Sequence, residues 1–139
     1  MDKMQRIGIS IEDDLLKNFD KLIEIQGYAN RSESVRDMIR DKLMVADLAK
    51  PNTNAIAAIF VVYDHHSNDL SQALNNIQHN NLNIIRSSTH VHIDHQNCLE
   101  VIIMKGKSSE IKKLTDLLSS TKGIKHGKLI MTSTGSDLS

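Results

Sequence analysis

The residues best suited to chemistry are His90 and His92, separated by one residue, and the single cysteine, Cys98, with five residues between it and His92. On a β-strand, residues two apart lie on the same face about 7 Å from each other, so their side chains can lean toward one ion. The polar segment Asp94–Asn97 predicts a turn that returns Cys98 on the neighbouring strand. Two imidazoles and one thiolate favour zinc, copper or nickel. The spacing therefore predicts a metal site with an open fourth position.

His79, at the end of the preceding predicted helix, is the candidate for that fourth position. If another subunit donated His79, metal binding would also depend on assembly of the subunits. The alternative is that His-x-His is polar surface and the lone cysteine a small buried hydrophobe. The segment Tyr63-Asp64-His65-His66 could hold a second metal or shape a loop, and we favour the loop. His126, between Lys125 and Gly127, is expected to face solvent.

The N-terminal segment has the pattern of a half-buried strand. Isoleucines at positions 7, 9 and 11 alternate with Arg6, Gly8 and Ser10. Pairing with the same strand of a second chain would cover the apolar face and leave Arg6, Gly8 and Ser10 on the other. A two-stranded ribbon fits the DNA major groove, where arginine reads guanine. The alternative is a packing strand with Arg6 as a solvated charge.

Two helices are expected after this strand, over residues 12–27 and from Asn30 onward. Asn30 with Glu33 three residues later resembles a capping box. Backbone N–H groups near Asn30, Arg31 and Ser32 could hold a DNA phosphate. Residues 1–50 carry nine basic and ten acidic side chains, and the whole chain has a formal net charge of zero, so DNA contacts must be local.

The remaining segments predict the order β-α-β-β-α-β, a ferredoxin-like (ACT-like) unit. The fold class is therefore α+β, with a ribbon-helix-helix DNA-binding domain over residues 1–50 and a metal-binding and tetramerisation domain over residues 55–139. Residues 51–54, which include the only proline, form the expected linker. One cysteine excludes an intrachain disulfide, and neither a signal peptide nor a membrane span is evident, which favours a cytoplasmic protein.

Three segments together resemble the NikR family of nickel-responsive regulators. They are the strand near Arg6, the segment Gly27–Glu33 and the segment Thr89–Glu100, and Lys122–Leu129 fits as well. The similarity runs from about residue 4 to residue 132. It implies a homotetramer that binds double-stranded operator DNA and represses nickel-uptake genes, with no membrane partner and no small-molecule substrate.

The resemblance also implies a ligand set. One Ni²⁺ per subunit would be held square-planar by His90, His92 and Cys98, together with His79 of a neighbouring subunit. Gln78 and Glu100 would be outer-shell residues that orient the ligands. An additional hard cation between the domains would use Glu33 and Asp37. Its backbone carbonyl ligands are expected near Ser119, Thr121 and Ile124.

Two positions depart from the family pattern. Gly8 stands where familiar relatives carry a hydroxyl side chain, so the operator sequence is expected to differ. The loop Ser67-Asn68-Asp69 lacks the basic pair with which some relatives touch phosphates. Contact between the metal domain and DNA is therefore expected to be weaker here, or made by another route.

Three alternatives to a nickel regulator stay open. A regulator of the same architecture could sense zinc, another metal or a small molecule. A metallohydrolase could use three ligands and an open site, but the zinc deaminase pattern of His-x-Glu with Cys-x-x-Cys is absent and no general base stands beside His90. A ribbon-helix-helix antitoxin would end in a disordered tail rather than an ordered domain.

Overall fold

The computed structural model describes residues 3–136 of the chain. It forms two compact units, Met1–Asp41 and Lys42–Ser139, and each is described by itself. Within the described residues, none of the helices is both long enough and apolar enough to cross a membrane.

The first unit contains helix α1 (Asp13–Ile25) and the start of helix α2 (Arg31–Leu48). Asp13 and Asp14 place negative charge at the N-terminus of α1, where the helix dipole favours it. Gly27, at φ +83°, takes the left-handed position after α1. The Asn30 side-chain oxygen accepts a hydrogen bond from the Glu33 backbone N–H at 2.9 Å, as the predicted cap requires. Local sequence signals thus place both helix boundaries.

Residues 3–12 form no strand within the single chain. Ile7 and Ile9 are 73% and 66% exposed, and the described part of this unit buries only Ile23 and Ser34. A strand forms only when its N–H and C=O groups pair with another strand. The described residues of one chain offer this segment no such partner. The predicted ribbon therefore depends on a second chain, which would also cover the isoleucines.

The second unit contains a four-stranded antiparallel sheet with the strand order β2-β3-β1-β4. Its elements are β1 (Asn54–Asp64), α3 (Asn68–His79), β2 (Ile85–His92), β3 (Asn97–Lys107), α4 (Ser108–Ser119) and β4 (Ile124–Ser133). This order is the predicted βαββαβ arrangement, so the α+β fold class is confirmed.

One face of the sheet forms the core with α3 and α4, and Leu48 at the end of α2 packs against it. Every second residue of β1 from Ala55 to Tyr63 is buried, and β3 follows the same alternation from Cys98 to Met104. Leu70 and Leu74 of α3 belong to the same cluster, as do three residues of α4: Ile111, Leu114 and Leu118. We call this the inner face. It matters for function because the predicted metal ligands on β2 and β3 share it.

The opposite, outer face of the sheet is also largely apolar. Its side chains are partly buried in the single chain, and Ile130 is 52% exposed. The members with partial burial are Ile56, Ala58, Phe60, Val62, Leu99, Val101 and Ile103. A sheet that is apolar on both faces, with helices on one, has a surface suited to a further subunit.

The predicted linker is hydrogen-bonded to the start of α4. Thr53 and Pro51 accept hydrogen bonds through their carbonyls from the backbone N–H groups of Ser108 (2.8 Å) and Ser109 (3.1 Å). The Ser108 hydroxyl, which is fully buried, donates to the Lys50 carbonyl. The first N–H groups of a helix have no intrahelical acceptor, and this segment supplies acceptors for two of them.

Replacing Gly123 with alanine should destabilise the second unit by about 1–3 kcal/mol. Gly123 has φ +104°, a conformation that side chains rarely adopt, and a Cβ there would lie 3.0 Å from Leu70 Cδ2. Urea unfolding measures the loss. Gly8→Ala is the matched control, because a Cβ at Gly8 meets nothing within 4 Å. Equal stability of the two variants would contradict this account of Gly123.

Candidate metal centre

The hairpin of β2 and β3 places the three predicted ligands of one chain on one face. His92 lies opposite Cys98, and His90 lies opposite Glu100. Residues directly opposite in an antiparallel pair point to the same side, and here that is the inner face. The ring centroids of His90 and His92 are 5.2 Å apart. The spacing of His90, His92 and Cys98 in the sequence thus places all three side chains on the inner face of the sheet.

The connecting turn is held by Asp94. Its Oδ1 accepts hydrogen bonds from the backbone N–H groups of Gln96 (2.8 Å) and Asn97 (2.7 Å). These bonds, chiefly that from Asn97, lower the pKa of the Asp94 carboxyl. Ile93 N–H donates to the Asn97 carbonyl at 3.1 Å and closes the hairpin. The turn therefore sets the register that pairs His92 with Cys98.

Cys98 is fully buried and its Sγ donates to the backbone carbonyl of Tyr63 at 3.6 Å. Burial raises the pKa of the Cys98 thiol, while hydrogen bonding to the Tyr63 side chain acts in the opposite direction. The negative charges of Glu100 and Asp64 raise it further. In the metal-free protein the sulfur therefore carries its proton, which a metal ion must displace.

Glu100 and Gln78, the predicted outer-shell residues, each bury a polar atom without a partner. Ser88 Oγ donates to Glu100 Oε1 at 3.0 Å, but Glu100 Oε2 has no hydrogen-bond partner within the described chain. The same is true of Gln78 Nε2. Buried polar atoms are normally satisfied, so each of these atoms leaves room for a further group, as do the unpartnered His65 Nδ1 and Thr115 Oγ1. Together with the His-His-Cys donor set, Glu100 and Gln78 fit a bound metal.

In the single chain, the four predicted ligands do not lie close enough together to surround one ion. His79 is the last residue of α3 and is exposed. Within residues 3–136, neither His79 nor the trio of His90, His92 and Cys98 belongs to a group whose ligand atoms all lie within 4.8 Å of one another. The hairpin provides a shared face, and the assignment of these four ligands stays a prediction.

Asp64, His65 and His66 do form such a group, with their ligand atoms within 4.8 Å of one another. Asp64 Oδ1 accepts from the His66 backbone N–H at 2.9 Å, and Oδ2 accepts from Gln96 Nε2 at 3.2 Å. The bond from the His66 N–H contributes most to lowering the pKa of the Asp64 carboxyl. The carboxylate thus shapes the loop after β1, and the choice between a loop and a second metal site stays a prediction. The His65 ring lies 5.7 Å from that of His92, beside the hairpin.

Tyr63 is the residue of this region whose contacts sequence reasoning missed. Its phenol oxygen lies 3.5 Å from Nδ1 of His90, and the two rings meet edge to face with centroids 6.2 Å apart. Burial, followed by the charge of Glu100, raises the pKa of the Tyr63 phenol. The available signal was the position of a tyrosine at the end of an otherwise apolar strand.

The predicted DNA contacts lie in the first unit. Arg6, Gly8, Ser10 and Ser32 are exposed. The Arg31 guanidinium donates twice to the Asp20 carboxylate, at 2.8 and 2.7 Å, and this bond lowers the pKa of Asp20. A phosphate at the start of α2 would compete with Asp20 for that guanidinium.

The predicted second-cation residues have different surroundings. Asp37 accepts hydrogen bonds from the Tyr28 hydroxyl and from Arg40, both at 2.8 Å. The first of these raises the pKa of the Tyr28 phenol. Glu33 is exposed at the start of α2. In the other unit, the Thr121 carbonyl accepts from the Ile124 N–H at 3.1 Å, within the turn that follows Ser119. This cation site stays a prediction.

Comparison with known proteins assigns both parts of the chain. Residues 5–43 match the ribbon-helix-helix proteins of the copG family, and residues 56–132 match the NikR C-terminal nickel-binding domain. The chain also resembles a solved structure of an uncharacterized protein from Thermotoga maritima. That likeness has a TM-score of 0.51 and 14% identity, over 56% of this chain and 96% of that one, and it concerns the fold alone.

Full-length relatives agree with these domain matches. A protein of Solibacter usitatus is 46% identical over 138 residues, 99% of each chain. Proteins of Pelobacter propionicus and Pyrococcus furiosus are 50% and 48% identical over 133 residues, 96% of each chain. All three are named as nickel-responsive regulators. With a DNA-binding module followed by a nickel-binding module, this chain belongs to the NikR family of nickel-responsive regulators.

Proposed function

We propose that this protein is a cytoplasmic, homotetrameric repressor of nickel-uptake genes that binds operator DNA when nickel occupies its second unit. The observation that carries the proposal is the common inner face of His90, His92 and the buried Cys98. The family supports nickel as the metal and DNA as the partner. A regulatory rather than enzymatic role follows from the same two modules.

The nickel site would be completed across a subunit boundary. His90, His92 and Cys98 of one subunit would hold the ion with His79 of a neighbour, one ion per subunit. Nickel supplies a preference for planar coordination by imidazole and thiolate, which sets it apart from zinc. The unpartnered polar atoms of Glu100 and Gln78 would orient the ligands.

Two apolar surfaces support assembly into a tetramer. The N-terminal isoleucines of the first unit would be covered when two chains form the ribbon. The outer sheet face of the second unit would then pack against another copy. Since His90, His92 and Cys98 lie on the inner face, a neighbour's His79 would instead have to approach along the edge strand β2. Each contact would remove apolar side chains from water, the main driving force of association.

Nickel would act on DNA binding by selecting one arrangement of the tetramer. An effector changes an equilibrium only through its differential affinity for the two states. A ligand donated across subunits meets this condition, because the complete set exists only in the assembled form. Both ribbons would then reach one operator. A further hard cation at Glu33 and Asp37 would stabilise the same arrangement.

Replacing His90 with alanine should abolish nickel-stimulated binding to the DNA upstream of the protein's own gene. Loss of a direct ligand should lower nickel affinity by more than the 10–100-fold typical of outer-shell changes. Absorption titration with Ni²⁺ and a gel shift measure the two effects. His126→Ala is the matched control, since His126 is exposed on β4. Unchanged nickel-dependent DNA binding in the His90 variant would refute the proposal.

Nickel affinity should rise with pH near neutrality. The pKa of Cys98 is raised, so the thiol is protonated in the metal-free protein and nickel binding must release that proton. Well below the thiol pKa, release of one proton corresponds to about a tenfold gain in affinity per pH unit. Chelator competition at several pH values measures the slope. A slope near zero would show that the Cys98 sulfur does not bind nickel as a thiolate.

Replacing Arg6 with alanine should weaken operator binding by about 1–3 kcal/mol, or roughly 5–150-fold, if Arg6 reads a base in the major groove. Fluorescence anisotropy on a labelled operator, with nickel present, measures the change. Lys128→Ala is the control, because this exposed lysine lies on β4 of the other unit. An Arg6 variant that weakens binding to operator and unrelated DNA equally would instead indicate a phosphate contact.

A further inference from the structure

We infer that Tyr63 is a positioning residue for the metal site. Its phenol oxygen accepts a hydrogen bond from the Nδ1–H of His90 and thereby turns the Nε2 lone pair toward the ion. The inference deepens the proposed function and rests on His90 being a nickel ligand. It concerns a side chain on β1, outside the hairpin that carries His90, His92 and Cys98.

The position of Tyr63 in the sheet determines how its side chain reaches His90. Tyr63 lies opposite Cys98 on β1, and β3 separates β1 from the strand that carries His90. The tyrosine side chain therefore reaches across β3 on the inner face, and its oxygen ends 3.5 Å from His90 Nδ1. The edge-to-face ring contact constrains the orientation further. Because Tyr63 is only 2% exposed, the surrounding core restricts its rotamer.

The protonation of the imidazole explains what the contact achieves. Neutral histidine carries one N–H, and only the other nitrogen can bind a metal. The hydrogen bond made by one nitrogen decides which tautomer is present. If Nδ1–H points at the phenol oxygen, Nε2 is free for nickel. If the phenol donated instead, the proton would reside on Nε2 and that nitrogen could not bind the ion.

The same tyrosine touches a second ligand. Its backbone carbonyl accepts the bond from Cys98 Sγ at 3.6 Å. With the phenol hydrogen directed away from His90, the phenol oxygen is available to accept from the imidazole. The buried Tyr63 thus contacts both the His90 imidazole on β2 and the Cys98 thiol on β3, and it would hold both side chains in place before the metal binds.

Tyr63→Phe tests the role of the hydroxyl. Phenylalanine keeps the ring and the backbone carbonyl that faces Cys98, so thermal unfolding should be little changed. Nickel affinity, measured with Ni²⁺ alone against a chelator, should fall about 10–100-fold, as when an outer-shell partner is lost. Tyr28→Phe is the matched control, since the Tyr28 hydroxyl binds Asp37 in the first unit and should leave nickel affinity unchanged.

The tautomer of His90 in the metal-free protein provides a readout without nickel. Nitrogen-15 NMR should find Nδ1 protonated in the unmodified chain and a shift toward protonated Nε2 in the Tyr63→Phe variant. Protonated Nε2 in the unmodified chain, or full nickel affinity in Tyr63→Phe, would overturn the inference. The His90→Ala variant separates failure of this inference from failure of the proposed function. If His90→Ala and Tyr63→Phe both keep full nickel affinity, the proposed function fails. If His90→Ala loses nickel affinity and Tyr63→Phe keeps it, only the role of Tyr63 fails.

Discussion

The proposed metal centre depends on the register of one β-hairpin. His92 faces Cys98 and His90 faces Glu100 because the Asp94 turn aligns β2 with β3 at that position. Side chains alternate between the faces of a strand, so a slip of one residue would send both histidines to the outer face and leave Cys98 alone on the inner one. The predicted ligand set, its predicted outer-shell residues and the contact of Tyr63 with His90 all depend on this alignment.

The two units differ in how much of their apolar surface a single chain buries. The second unit buries its inner face under α3 and α4, and so forms a core within one chain. In the described part of the first unit, only Ile23 and Ser34 are buried. The alternating isoleucines lie on a segment that pairs with no other strand of the described chain. In the proposed function, DNA recognition is coupled to assembly, since the ribbon that would contact DNA forms only when two chains pair.

Much of the fold could be predicted from local patterns. Helical spacing and the Asn30 cap predicted the helices, and the βαββαβ order followed from the later segments, whereas the strand predicted from isoleucine alternation does not form within one chain. The His-x-His spacing and the lone cysteine predicted the hairpin site. The contacts of Arg31 with Asp20 and of Asp37 with Tyr28 could not be read in this way, because each joins residues on different helices or turns whose approach depends on packing.

The sequence by itself therefore determined which residues are chemically competent and which strand each occupies, because side-chain periodicity is a local property of the backbone. Only the tertiary structure decided that Tyr63 of β1 reaches over β3 to His90, that Cys98 is fully buried, and that Glu100 and Gln78 retain unpartnered polar atoms. Those features arise from the order of strands in the sheet and the packing of helices on it. Distances between residues remote along the chain are settled by that packing, which no short motif encodes.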